Sequence, residues 1–295
     1  LKLGSLGTMT EDGAAFLPTD GGDMLQTRAL PPSSTGLIGY ISEQTLQLAA
    51  KLRQHGVRLV LVTGARSTTL FQRLPYLPRA DAYVAENGGR IFHDVGADSW
   101  TAAPLQEDLN WRSKHDVVVG AAGRWRPPEK RQGELWHLYR RLASEGWNCD
   151  SIGYTTSFRL SLTKSFGKTE EQLSAVFKTI SPNLRYSYNL GSVDFMPATS
   201  GKAQAAHYLM TMYGQDSKNC VSFGDDDNDL ELAHAVGHTF VPGFSHDSLR
   251  GAVASEPENF TVASIGGFRG TEEMLSLALL AAPQRATWGL GTLFL

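Results

Sequence analysis

The sequence predicts an α/β protein: a parallel-sheet core interrupted by an inserted α+β domain. Three observations carry that expectation. A helix-forming stretch at 42–54 runs into the fully apolar segment RLVLV at 58–62, which together read as half of a β-α-β unit with both sheet faces covered. The same alternation of helix and buried strand resumes over 202–241. Between them the composition changes, and five of the six tryptophans (Trp100, Trp111, Trp125, Trp136 and Trp147) fall within 100–147.

The elements follow in order. Residues 1–40 are punctuated by Gly4, Gly7, Gly13, Gly21, Gly22, Gly36, Pro18, Pro31 and Pro32, so 1–39 is expected to be irregular. Ser42 suits a helix N-cap, Leu46, Ala49, Ala50 and Leu52 fall near helical spacing, and Gly56 stops the helix. A strand at 82–85 ends in the turn Glu86-Asn87-Gly88-Gly89. A helix at 129–144, strands at 158–163, 184–188 and 192–196, and a helix at 170–180 make up the inserted domain. A helix at 202–213, a strand at 220–223, a helix at 230–235 and a strand at 238–241 return to the core, and short elements near 260–263 and 271–281 close it. The expected division is therefore a core of 1–90 and 198–295, with the inserted domain at 91–197. Most of the tryptophans read as the core of that inserted domain rather than as a sugar platform.

Composition excludes several classes. In 295 residues, 27 basic side chains face 30 acidic ones, a net charge of −3 without the basic excess of a nucleic-acid binder. No apolar run approaches the about 18 residues of a membrane span. Cys149 and Cys220 cannot build a disulfide framework, so an intracellular, cytoplasmic or organellar setting is expected. A chloroplast is compatible with that setting, since the first residue is Leu and a targeting segment can be missing.

Chemistry concentrates in VSFGDDDNDL at 221–230, where a buried strand leads into four aspartates, Asp225, Asp226, Asp227 and Asp229. Ligands of open α/β sheets bind beyond the carboxyl ends of strands. Carboxylates crowded there repel unless a cation neutralises them, and clustered hard oxygens suit Mg²⁺. Aspartates also cap helices, but four in five positions exceed what capping needs. An EF-hand is ruled out because Leu230 and Val236 stand where Gly and a bidentate Glu are required. Two more strand–helix junctions carry polar groups. Thr63-Gly64-Ala65-Arg66 offers a hydroxyl and backbone N–H groups to a phosphate oxygen. Ser200-Gly201-Lys202 puts a lysine at a helix start, against the helix dipole.

The order VLVTGAR, SGK, FGDDDND resembles motifs two to four of the haloacid dehalogenase superfamily of phosphohydrolases. AENGGRIF, beginning at Ala85, and the long insertion that follows are similar to its Cof-type branch, which includes sucrose-phosphate phosphatases. The resemblance implies a Rossmann-like core, an inserted α/β cap and Mg²⁺-dependent hydrolysis of a small phosphorylated metabolite such as a sugar phosphate. It implies Thr63, Lys202 and Asp229 as catalytic groups, with Thr63, Gly64, Arg66, Asn87, Lys202 and Asn228 as substrate contacts. Asp225, Asn228 and Asp229 would hold Mg²⁺. The implied partner is a small phosphorylated substrate, not a nucleic acid or a membrane.

One motif departs from the family. The Asp-x-Asp expected shortly before Ser42 is missing, because 29–40 holds no acidic residue, and no apolar run before residue 36 can serve as a central strand. Asp20 and Asp23 have the wrong spacing. The second expectation is therefore an inactive relative that binds a phosphorylated ligand or a protein partner.

Overall fold

The computed structural model describes residues 8–9, 14–18, 24–33, 36, 38–96, 104–120, 126–189, 192–245, 247–285 and 291–295. Trp100 and Trp125 lie outside them. The chain begins with strands β1 (Thr8–Met9), β2 (Ala14–Pro18), β3 (Met24–Ala29) and β4 (Tyr40–Ser42), followed by α1 (Glu43–Gln54), β5 (Arg58–Val62) and α2 (Ser67–Arg73). Next come β6 (Ala82–Ala85), β7 (Arg90–Asp94), β8 (Leu105–Glu107), α3 (Leu109–Ser113), α4 (Asp116–Val119), α5 (Glu134–Ser144), β9 (Asn148–Asp150), β10 (Phe158–Ser161), α6 (Glu170–Phe177), β11 (Leu184–Asn189) and β12 (Ser192–Pro197). The chain then continues through α7 (Lys202–Tyr213), β13 (Cys220–Phe223), α8 (Leu230–Ala235), β14 (His238–Val241), α9 (Asp247–Ser255), β15 (Phe260–Val262), α10 (Gly267–Arg285) and β16 (Thr292–Phe294).

Two compact units result. The first comprises 1–61, 68–81 and 210–295, and the second 62–67 and 82–209. The first unit holds parallel strands in the order β15-β14-β13-β16-β5. Helix α1 begins where the Ser42 side chain accepts the Thr45 N–H at 3.1 Å. It buries Leu48, Ala49 and Leu52 and packs on α10, which buries Met274, Leu275 and Ala278. Asp81 anchors the start of β5 by accepting from Leu59 N at 2.8 Å and from Arg53 at 2.8 Å.

Two findings depart from expectation. The amino-terminal region is not irregular throughout, since β1 to β4 form an antiparallel meander despite the glycines and prolines between them. Pro18 ends β2 opposite Met24, while Pro31, Pro32 and Gly36 (φ 79°) lie between β3 and β4, where a positive φ and missing N–H donors are tolerated. The central position of the parallel sheet is filled from the other end of the chain. β16 pairs with β13 (Val221 opposite Leu293) and with β5 (Leu293 opposite Leu59), and Leu293 and Phe294 are fully buried.

The second unit contains the antiparallel run β6-β7-β8 and a separate antiparallel sheet in the order β11-β12-β10-β9. Helices α5 and α6 cover the latter. Leu135, Trp136, Leu142, Trp147, Phe158, Leu160, Leu173 and Phe195 form its core, with Phe158 stacked on Phe195 at 5.1 Å. Trp111, Trp136 and Trp147 are all buried, as core residues should be. Among the described residues no helix is long and apolar enough to cross a membrane, and both cysteines are free.

Candidate active site

In the second unit the backbone after β5 is stitched to the end of β6. Thr63 N donates to Val84 O at 2.9 Å, and Asn87 N donates to Thr63 O at 3.3 Å. The Thr63 hydroxyl accepts from Ala65 N at 3.0 Å, closing a tight turn. Glu86 and Asn87 adopt left-handed conformations (φ 55° and 53°), and Gly88 follows at φ 89°. Such a run costs energy for side-chain-bearing residues and persists only where the surroundings hold it.

Glu86 supplies that hold. Its carboxylate is fully buried and accepts from Ser67 Oγ (2.6 Å), Thr155 N (2.8 Å), Thr156 N (2.8 Å) and Thr156 Oγ1 (2.7 Å). Arg90 Nη1 stands farther off, 3.9 Å from Oε1. Carboxylate, turn and the Thr63–Ser67 loop therefore form one hydrogen-bonded body. Gly88 is glycine for a second reason: a Cβ there would lie 2.1 Å from Gly201 O. The turn thus rests directly on Ser200-Gly201-Lys202 at the start of α7, where Lys202 is buried. The fold brings Thr63, Gly64, Asn87 and Lys202 into one neighbourhood by backbone contacts.

Arg66 has a different environment. Its guanidinium is 4 % exposed, donates to Asp150 and to Ile152 O at 2.6 Å, and lies over the Tyr154 ring at 4.8 Å. It ties its loop to the β9 end. Burial pushes the Tyr154 phenol up to about 12, with Asp194 adding to the shift. Asp194 itself is paired with Arg159 through two bonds of 2.6 and 2.7 Å and accepts Asn87 Nδ2 at 2.9 Å. Burial works against the Arg159 charge, but the Asp194 partner outweighs it and raises the pKa.

In the first unit, Gly224 to Leu230 form a compact acidic turn. Asp226 caps the 3₁₀ turn Asp227–Asp229, and Asp229 Oδ2 accepts from Asp225 N (3.3 Å) and Asp226 N (3.4 Å). Gly224 allows this, since a Cβ there would meet the Asp229 Cβ at 2.9 Å. Ser245 donates its N–H to Asp225 O at 2.7 Å and its hydroxyl to Asp225 Oδ2 at 3.2 Å, while Ser248 donates to Asp227. Among the described residues no three His, Cys, Asp or Glu side chains form a metal cage. A Mg²⁺ ion needs only one or two protein carboxylates, with water and phosphate completing its octahedron. Asp225, partly exposed at the strand end, suits that role; Asp229 has one oxygen committed to its own loop. Asn228 sits in the same turn.

The expected site residues thus fall in two units: Thr63, Gly64, Arg66, Asn87 and Lys202 in the second, and Asp225, Asn228 and Asp229 in the first. Glu86, Asp194 and Arg159 were not anticipated. The AENGG pattern was the one local sign of Glu86, and nothing local marks the other two.

Comparison with known proteins agrees with this architecture. Residues 150–254 match the haloacid dehalogenase-like hydrolase family. The chain is 22% identical to 5-amino-6-(5-phospho-D-ribitylamino)uracil phosphatase YbjI of Escherichia coli over 215 residues, 68% of this chain and 78% of the relative. It is 21% identical to the HMP-PP phosphatase of Shigella boydii over 231 residues, covering 74% and 87%. Its fold is similar to that of the sucrose-phosphatase from Synechocystis, solved with sucrose and phosphate. The TM-score is 0.58 at 16% identity, over 81% of this chain and 92% of that one. The resemblance to haloacid dehalogenase-like hydrolases holds in sequence, and the likeness to the sucrose-phosphatase holds in fold.

Proposed function

We propose that this chain is a phosphatase site of the haloacid dehalogenase type, acting with Mg²⁺ on a small phosphorylated metabolite, a sugar phosphate in the first instance. The observation that carries the reading is the Gly88–Gly201 contact, which joins the Thr63 loop, the Asn87 turn and the Lys202 helix start. Thr63 and the N–H of Gly64 would bind phosphoryl oxygens, and Lys202 would neutralise them. Phosphoryl transfer asks chiefly for such positioning and charge compensation. Asp225 would hold Mg²⁺, which when bound supplies further charge neutralisation, with Asn228 and Asp229 shaping the turn around it. Arg66 would act by bracing its loop rather than by touching substrate.

The experiment is phosphate release from an aryl phosphate with and without Mg²⁺. Metal-dependent release that falls by about a hundredfold or more in Asp225→Asn supports the reading. One sequence observation favours a second reading: with no acidic residue in 29–40, the same groups can bind a phosphate ester without breaking it. Mg²⁺-dependent binding of the ester by calorimetry, with no release, would select that alternative.

A further inference from the structure

We infer that Ser245 is a positioning residue that sets the metal preference of the acidic turn, a role that rests on the reading of Asp225 as a Mg²⁺ ligand. It holds the Asp225 carboxylate so that a cation meets one oxygen rather than two, which favours Mg²⁺ over Ca²⁺.

Ser245 grips Asp225 at two points. Its N–H donates to Asp225 O at 2.7 Å, and its hydroxyl donates to Asp225 Oδ2 at 3.2 Å. The first bond is made by backbone, so it ties the serine to the end of β13 whatever the side chain does. Apolar neighbours fix the same segment. Phe244 packs against the cluster of Ala233, Val241, Leu249 and Phe260, and the Arg250 guanidinium covers its ring at 4.4 Å. Leu249, four residues on, is fully buried. The Ser245 side chain is itself exposed, but on a segment anchored in this way little further ordering is needed to reach Oδ2.

The neighbouring carboxylates have other tasks. Asp226 Oδ1 accepts from Asp227 N at 2.7 Å, Asp229 Oδ2 accepts from two backbone N–H groups, and Asp227 accepts from Ser248. The Ser245 hydroxyl falls on the carboxylate proposed to meet the metal. An oxygen already accepting a hydroxyl is the poorer ligand, so a cation is drawn to the other oxygen of the same group. One-oxygen coordination suits Mg²⁺, which demands a near-ideal octahedron and keeps several waters. Ca²⁺ takes about six to eight oxygens and can use both oxygens of a carboxylate, so the Ser245 bond works against it. The sequence sharpens this dependence. With no acidic residue in 29–40, fewer carboxylates are at hand and the posture of each weighs more.

The test titrates the full chain with Mg²⁺ alone and with Ca²⁺ alone by calorimetry, and reads the ratio of the two affinities. Ser245→Ala keeps the backbone bond and removes only an exposed hydroxyl, so the fold survives. It is expected to lower the Mg²⁺-to-Ca²⁺ affinity ratio by about tenfold or more, the usual effect of removing a group that orients a metal ligand. Ser245→Thr restores the hydroxyl and is expected to restore most of the ratio. Ser248→Ala, which strips the hydroxyl from Asp227 instead, is expected to leave the ratio within about twofold of the wild type. A ratio unchanged within about twofold in Ser245→Ala, or an equal loss for both ions, overturns the inference, because a merely structural serine would weaken both alike. Asp225→Asn separates this outcome from the reading beneath it. Mg²⁺ binding that needs Asp225 but a ratio indifferent to Ser245 defeats the inference and spares the reading. Mg²⁺ binding that is absent from the wild type, or unchanged in Asp225→Asn, defeats both.

Discussion

Glu86 has no contact with solvent, and its two oxygens are crowded by two backbone N–H groups, three hydroxyls and, farther off, an arginine nitrogen. Truncation would strand several buried donors at once, each unpaired donor costing about 1–3 kcal/mol. Glu86→Ala is expected to lower unfolding stability by about 3 kcal/mol or more, read from urea denaturation. A loss below about 1 kcal/mol would mean that the turn is held by its backbone alone. Residue-scale chemistry of this kind is hard to read from sequence. Asn87, Thr63 and Lys202 stood out because each sits in a short local motif. Glu86 and Arg66 depend on Thr155, Thr156 and Asp150, some 69 to 84 positions away, which only the fold brings near. A second residue gives a pH signature. His115 is fully buried, its Nδ1 paired with Thr199 at 2.8 Å, and burial, followed by Arg112 and Lys114, lowers its pKa to about 4. Between that value and the ordinary 6.5, the unfolded chain binds a proton that the folded one refuses. Stability from this group is complete above pH 6.5 and declines as pH falls towards 4, by about 3 kcal/mol at most. His115→Gln is expected to flatten the slope of stability against pH in that window, and an unchanged slope would assign it to other groups.

Among the elements, the contrast is between those whose pattern is their own and those formed by their surroundings. α1 was legible because an N-cap, an apolar stripe and a stop glycine all lie within one short stretch, and the structure has Ser42 capping and Gly56 at φ 80°. β13 and the acidic turn were legible for the same reason. β16 was not, since three residues are too few to show a period, and Thr292-Leu-Phe becomes a strand only because β13 and β5 flank it. Its worth can be measured. Phe294→Ala removes a fully buried ring at the centre of the sheet and should cost about 3–5 kcal/mol. Val262→Ala, on the outermost strand β15 and 39% exposed, should cost under about 1 kcal/mol. Similar losses from the two, by chemical denaturation, would contradict the central placement of β16.

At the scale of the whole molecule, the α/β class was visible before the fold was known, because helices and buried strands alternate along the sequence on either side of the insertion. The amino-terminal meander was hidden by its glycines and prolines, which signal turns without saying what the turns connect. β16 carries one more consequence, which concerns time rather than space. A ribosome releases β5 and β13 long before Thr292 emerges from the exit tunnel, so the nascent sheet waits with two bare inner edges of the sort that recruit foreign strands. Synthesis of this protein should therefore lean on chaperone shielding until β16 arrives.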